Sequence, residues 1–119
     1  MGLESGPLPR LATGFGGGIG GSGATCGALV GAVMAVGLVH GRDSSDGDRR
    51  AATAISQQIH HAFEEQMGST ACRALTELDL TTREGAQELY SSDVHERVCR
   101  RAVDLAEQLA VEQLRREKS

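Results

Sequence analysis

The sequence predicts an all-α protein, a small single-domain bundle of about five helices with a glycine-rich loop before the first long helix. Apolar residues recur at the helical spacing along most of the chain, and no stretch alternates at period two for long enough to indicate a strand. Aromatic residues make up only 3%, so the core must be built from aliphatic side chains, which suit closely packed helices. At 119 residues, one domain spanning 1–119 is expected.

The N-terminal third contains the lead-in, the loop and the first long helix. Residues 1–13 are predicted to be a truncated lead-in that ends a helix, 14–23 the glycine-rich loop, and 24–117 the helical bundle. Ser22 or Thr25 is expected to cap a first long helix that begins near residue 24. Its uncharged length is just short of the roughly 20 residues of a membrane span. The hydropathy of the whole chain and the polar character of the sequence after residue 41 favour a buried core helix.

Glycines punctuate the first two long helices. Gly41 is predicted to end the first, near residue 40, and Gly68 the second, which reaches Met67. Ser45 with Asp48 resembles a cap for this second helix. Its apolar positions follow the helical period and are Ala52, Ile55, Ile59, Ala62, Phe63 and Met67.

Three further helices follow. A short one is predicted over 71–78, with Ser69 or Thr70 as its cap. Capping boxes then start a helix over roughly 82–90 and a long last helix that reaches about residue 117. The two boxes pair Thr81 with Glu84 and Asp93 with Glu96.

Charge and cysteine content narrow the function classes. The net charge is -4, and acidic and basic residues are mixed along the second half of the chain. A nucleic-acid-binding domain needs a basic surface, so we do not expect this function. No secretory signal is visible in residues 1–10, so a cytoplasmic location, in which thiols stay reduced, is expected. Three cysteines in that compartment are interpreted as reactive, metal-binding or buried groups rather than a disulfide framework.

Cys26 lies among an unusual density of glycines. Because glycine costs a helix about 1 kcal/mol relative to alanine, these glycines indicate a backbone requirement, either positive φ or close approach to a bound group. Gly27 and Gly31 fall one turn apart and favour a close helix contact. The expected backbone frame of a site comprises Gly16, Gly17, Gly18, Gly27, Ala28 and Gly31. A Gly-x-Gly-x-x-Gly string in the loop lacks the strands of a dinucleotide site.

The three thiols are the candidate redox and metal-ligating groups. A thiol in the first turn of a helix has a lowered pKa and is more nucleophilic, and Cys26 and Cys72 are predicted at such positions. Cys99 is predicted mid-helix, where it could equally be a core residue. Their spacing is too wide for a Cys-x-x-Cys motif or a zinc knuckle, so a joint site would be assembled from three helices.

Three thiolates are one short of the four that usually hold an iron–sulfur cluster. A fourth ligand could come from a histidine, a second subunit or a small molecule. His95 and Cys99 are an i, i+4 pair that could ligate one metal. Such pairs are also common on solvated helix faces.

The stretch Phe15–Gly20, followed by Cys26-Gly27-Ala28-Leu29-Val30-Gly31, resembles the C_GCAxxG_C_C family of redox-active proteins, which carries a CGAxxG motif and four cysteines. The resemblance covers residues 11–109, with Cys72 and Cys99 similar to the family's third and fourth cysteines. The family's first cysteine precedes the glycine loop, and this sequence has none there, which indicates either a short natural member or a start that lies upstream. Some relatives are joined to haem-binding cytochromes with an iron–sulfur cluster, so the resemblance implies electron transfer or cluster binding.

The sequence is therefore compatible with three functions. The preferred one is a cytoplasmic redox protein in which Cys26, Cys72 and Cys99 converge as iron–sulfur or metal ligands, or as redox thiols in electron transfer with a partner still to be identified. The second is a thiol–disulfide or peroxide-handling enzyme in which Cys26 attacks and Cys72 or Cys99 resolves. The third is a non-redox helical module that serves in packing or in partner binding, with the cysteines as filler. A homodimer is also expected, because a small-residue helix would expose an apolar face.

Overall fold

The computed structural model describes residues 8–118, with side chains over 10–115. Its architecture confirms the all-α prediction: there is no strand in the described range, only an isolated bridge between Thr25 and Ala71. A 3₁₀ turn, Thr13–Phe15, follows the first helix, and a π-helical turn, His95–Cys99, leads into the last. The helices are α1 (Leu8–Ala12), α2 (Gly27–His40), α3 (Arg50–Met67), α4 (Cys72–Thr76), α5 (Arg83–Ser91) and α6 (Arg100–Lys118).

The core lies where α2, α3 and α6 pack together. Its largest fully buried side chains are Phe63, Leu29, Ile59 and Val36. Helix α6 meets them mainly with small residues, and a surface of small side chains lets helix axes approach closely. The α6 members are Ala102, Ala106, Leu109 and Ala110.

Helix α2 begins later than predicted, at Gly27, and its N-cap position is Cys26. Neither Ser22 nor Thr25 caps it, because Thr25 is held in the bridge to Ala71 and no side chain bonds to the first turn. The other end agrees with the prediction, since Gly41 donates its N–H to Gly37 O at 2.8 Å.

The second long helix, α3, ends as predicted at Gly68, which takes a left-handed φ of 90°. At its start the Asp48 carboxylate accepts the Arg50 N–H at 2.9 Å, whereas Ser45 provides no cap. Helix α4 is shorter than the predicted 71–78, because Glu77 adopts a left-handed φ of 59°.

The two predicted capping boxes are wrong in detail. The residue that caps α5 is Thr82, not Thr81: its hydroxyl accepts the Gly85 N–H at 3.0 Å. In the second box, the Asp93 carboxylate pairs with Arg97 at 3.4 Å and makes no cap. The long last helix therefore starts with the π-helical turn before α6.

Helix α1 agrees with the predicted lead-in that ends in a helix, and residues 1–7 of that lead-in lie outside the described range.

Among residues 8–118, none of the helices combines the length and the apolar character needed to cross a bilayer.

Candidate functional site

The glycine-rich loop has an unusual backbone. Five consecutive residues, 17–21, have φ between 62° and 71°. Left-handed conformations of this kind cost an L-residue about 1–2 kcal/mol each, and glycine avoids that cost. Ile19, at φ 63°, is the one non-glycine residue in the run. The prediction that the glycines supply positive φ is confirmed.

Backbone hydrogen bonds close the loop on itself. Gly20 N–H donates to Gly14 O at 2.7 Å, and Ala24 N–H donates to Gly18 O at 2.9 Å. Gly18 is buried, and a Cβ placed on it would lie 2.7 Å from the Cβ of Cys72. The loop backbone therefore packs directly against a thiol-bearing residue, and only glycine leaves the space for it.

A short antiparallel pairing brings the first two cysteines together. Cys26 N–H donates to Thr70 O at 2.7 Å, and Cys72 N–H donates to Ala24 O at 2.6 Å, on either side of the Thr25–Ala71 bridge. Because side chains two positions apart in such a pairing share a face, Cys26 and Cys72 are diagonal neighbours on one side of it. Diagonal neighbours lie roughly 7–8 Å apart.

Cys99 reaches the same place through the π-helical turn. Arg100 N–H donates to His95 O, five residues back, so the turn holds one residue more than an α-helical turn. The extra residue changes which side chains of this segment share a face with the core residues of α6. His95 and Cys99, the first and last residues of this turn, both line the cavity that Cys26 and Cys72 line.

The three thiols line one cavity of about 430 Å³. Predicted frame residues in its wall are Gly16, Gly17, Gly18, Gly27 and Ala28. Gly31 is not among them: it lines a separate groove between α2 and α6, and an added Cβ there would meet nothing within 4 Å. Gly27 does pack closely, since its Cβ would lie 3.0 Å from Phe15 O.

The chain matches the family described as "Putative redox-active protein (C_GCAxxG_C_C)" over residues 1–113. The chain belongs to this family. No curated protein and no solved structure matches it. Membership in the C_GCAxxG_C_C family confirms the resemblance carried by the glycine loop and the Cys26 motif.

All three cysteines of this C_GCAxxG_C_C protein are free thiols, and two of them have raised pKa values. Burial raises the pKa of Cys72, the nearby Cys26 raises it further, and the Thr76 hydroxyl acts in the opposite direction. Burial also raises the pKa of Cys99, with smaller contributions from Cys72 and Cys26. The expectation of a lowered pKa at Cys72 is therefore wrong: its helix has only five residues, and its side chain is buried.

Sequence reasoning paired His95 with Cys99 but missed the other wall residues that come from α5 and the loop before it. The His95 ring lies on that of Tyr90, with centroids 5.0 Å apart. Leu80 and Leu89 complete this side of the cavity. The only sequence signal for Tyr90 is its status as the single tyrosine of the chain.

The predicted metal or iron–sulfur site has suitable donor types, namely three thiols and the imidazole of His95. Within the described residues, however, no three His, Cys, Asp or Glu side chains are grouped so that they could hold a metal ion. The side-chain arrangement therefore does not fit a metal as it stands.

Proposed function

We propose that Cys26, Cys72 and Cys99 form one thiol redox centre, in which Cys26 attacks a small disulfide and Cys72 completes the exchange. The observation that carries the proposal is the single cavity lined by all three thiols. It agrees with a family described as redox-active.

Cys26 is the best-placed attacking thiol. It is half-buried at the N-cap position of α2, a helix of 14 residues, and lines the shared cavity. Cys72, by contrast, is only 8% exposed. Burial raises the pKa of Cys72 and of Cys99, which makes both poor initial nucleophiles.

The exchange balances without a further reactant. The Cys26 thiolate attacks one sulfur of a disulfide R–S–S–R, which forms Cys26–S–S–R and releases one R–S⁻. Cys72 then loses its proton and attacks the Cys26 sulfur, which forms the Cys26–Cys72 disulfide and releases the second R–S⁻. The two protein thiols lose two electrons and two protons in total, and the substrate becomes two thiols.

Cys72 is preferred to Cys99 as the resolving thiol because of the backbone pairing around Thr25 and Ala71. Diagonal neighbours lie at roughly 7–8 Å, and a disulfide needs Cα atoms about 4.4–6.8 Å apart. Formation of a Cys26–Cys72 disulfide therefore requires the two segments to move closer together by about 1–3 Å. Cys99 then remains as a third thiol beside the disulfide and is the alternative resolving group.

Mass mapping after reaction with hydroxyethyl disulfide tests the assignment. We expect the parent chain to form a Cys26–Cys72 disulfide, Cys72→Ser to accumulate a mixed disulfide on Cys26, and Cys99→Ser to behave like the parent. The urea-unfolded chain gives the intrinsic reactivity of each thiol. A first adduct on Cys72 or Cys99 in the folded chain, with Cys26→Ser as reactive as the parent, would refute the roles.

An iron–sulfur cluster or another metal on the same thiols is the rival proposal; the donor types in the shared cavity support it, and it would require the thiols to move closer together than they lie here. Anaerobic purification, a visible spectrum and iron and sulfide analysis separate the two. The thiol proposal expects three titratable thiols in the colourless, metal-free protein. A coloured protein that contains iron and sulfide and loses its colour in a Cys26→Ser variant would favour the cluster.

A further inference from the structure

The wall of the thiol cavity carries no Lys, Arg, Asp or Glu side chain among the described residues. Apart from the three thiols, its titratable groups are His95 and Tyr90, and the rest is glycine backbone, Thr13 and apolar side chains. This lining contrasts with the chain as a whole, in which 24% of residues are charged.

We infer that the cavity selects small uncharged disulfides, and that it discriminates against both cationic and anionic ones. The inference rests on the proposed function and names its substrate class. A charged group that enters a site without a partner loses its hydration and gains nothing in return. An uncharged group with a hydroxyl end loses much less hydration energy on entering.

The depth of the thiols makes this selection effective. The substrate sulfur that is attacked must reach Cys26 inside the cavity. The released half of the substrate must then leave past Cys72, which is buried against Gly18. In short disulfides the charge lies only one or two carbons from sulfur, so it must enter with the reacting bond. Longer disulfides could leave their charges outside, and the prediction is therefore made for short ones.

The overall charge of the protein predicts a different order of reaction rates for cationic, neutral and anionic disulfides. With a net charge of -4 and a thiolate as nucleophile, long-range attraction would make a cationic disulfide react fastest and an anionic one slowest. Selection by the cavity instead makes the neutral compound fastest. The two explanations are therefore separable with three compounds of similar size.

The experiment compares hydroxyethyl disulfide, cystamine and dithiodiglycolate at equal concentration, with each rate divided by that of a small uncharged reference thiol. We expect the neutral disulfide to exceed both charged ones by about tenfold or more after this normalisation, because an unpaired charge must be desolvated. The same ratios measured on the urea-unfolded chain should lose the preference.

A matched pair of variants locates the selection in this cavity. Val103 is 52% exposed and lines the thiol cavity as well as the groove between α2 and α6. Val111 is 39% exposed and lies about 12 Å further along α6, where it lines that groove and a surface pocket of α6 but not the thiol cavity. Val103→Lys should raise the relative rate with dithiodiglycolate several-fold, and Val111→Lys should leave all three ratios unchanged.

The outcomes separate this inference from the proposed function. If the disulfides react at Cys26 but cystamine or dithiodiglycolate matches the neutral compound, or if both lysine variants act alike, the selectivity is overturned and the redox centre stands. If no disulfide reacts with the folded chain while the unfolded chain reacts normally, both are overturned.

Discussion

Replacement of Gly18 by alanine tests how the glycine loop supports the thiol site. Gly18 has a φ of +71°, and an added Cβ would lie 2.6 Å from Ala24 N and 2.7 Å from the Cβ of Cys72. The left-handed conformation costs alanine about 1–2 kcal/mol, and crowding in a packed site costs a further 1–3 kcal/mol or so. We therefore expect Gly18→Ala to lower the free energy of unfolding by about 2–5 kcal/mol.

Gly20 provides the matched control. Its φ of +62° is nearly the same, but a Cβ there would meet nothing within 4 Å. Gly20→Ala should therefore cost only the conformational term, about 1–2 kcal/mol. Equilibrium urea unfolding under reducing conditions measures both variants, with equal slopes required for comparison.

The crowding at Gly18 has a second readout. An added methyl group would displace the Cys72 side chain or the loop, so alkylation of Cys72 should become faster in Gly18→Ala and stay unchanged in Gly20→Ala. Equal destabilisation by the two substitutions would show that the contact between Gly18 and Cys72 does not shape the site.

Three further predictions concern stability. Thr82→Ala should cost about 1 kcal/mol as a lost helix cap, measured by urea unfolding, and Thr81→Ala should cost less because the capping hydroxyl belongs to Thr82. Phe63→Ala should cost about 3–5 kcal/mol, since Phe63 is fully buried between α2, α3 and α6; a loss below about 1 kcal/mol would contradict that packing. The pKa values of Cys72 and Cys99 are raised in the folded chain, so their contribution to stability is complete below the ordinary thiol pKa of about 8.5 and is lost as pH rises through the raised values. Reduced protein unfolded in urea at increasing alkaline pH should show this decline, and replacement of both cysteines by alanine should flatten it.

The expected homodimer stays a prediction. The groove between α2 and α6 is lined by small and apolar residues such as Ala32, Ala35 and Ala106. Light scattering of the purified chain measures its mass directly, and a monomer at high concentration would contradict the expectation.

Much of the helical layout could be predicted because its signals are local. The spacing of Ile55, Ile59 and Phe63 indicates one buried face, and these residues are buried. Gly68 ends its helix in a left-handed conformation that glycine adopts readily in any fold. Gly41 also ends its helix, but with an extended backbone at φ -71°. Helix starts were less predictable, because neighbouring hydroxyl residues such as Thr81 and Thr82 compete for one cap.

The arrangement of the site could not be predicted in the same way. Cys26 and Cys72 are brought together by backbone bonds between segments far apart along the chain, and Cys99 joins them through a π-helical turn with no local sequence signal. Gly31 belongs to the same motif as Cys26 yet faces a different groove. The raised pKa of Cys72 follows from burial, which helix position alone does not specify.

The sequence by itself therefore determined the helices, the need for positive φ in the glycine loop and the family, since each depends on residues close together along the chain. Only the tertiary structure decided that three distant thiols share one cavity without Lys, Arg, Asp or Glu in its described wall. The physical reason is that burial and electrostatic environment arise from contacts between distant segments, in which a single bridge or one extra residue in a turn changes which side chains meet.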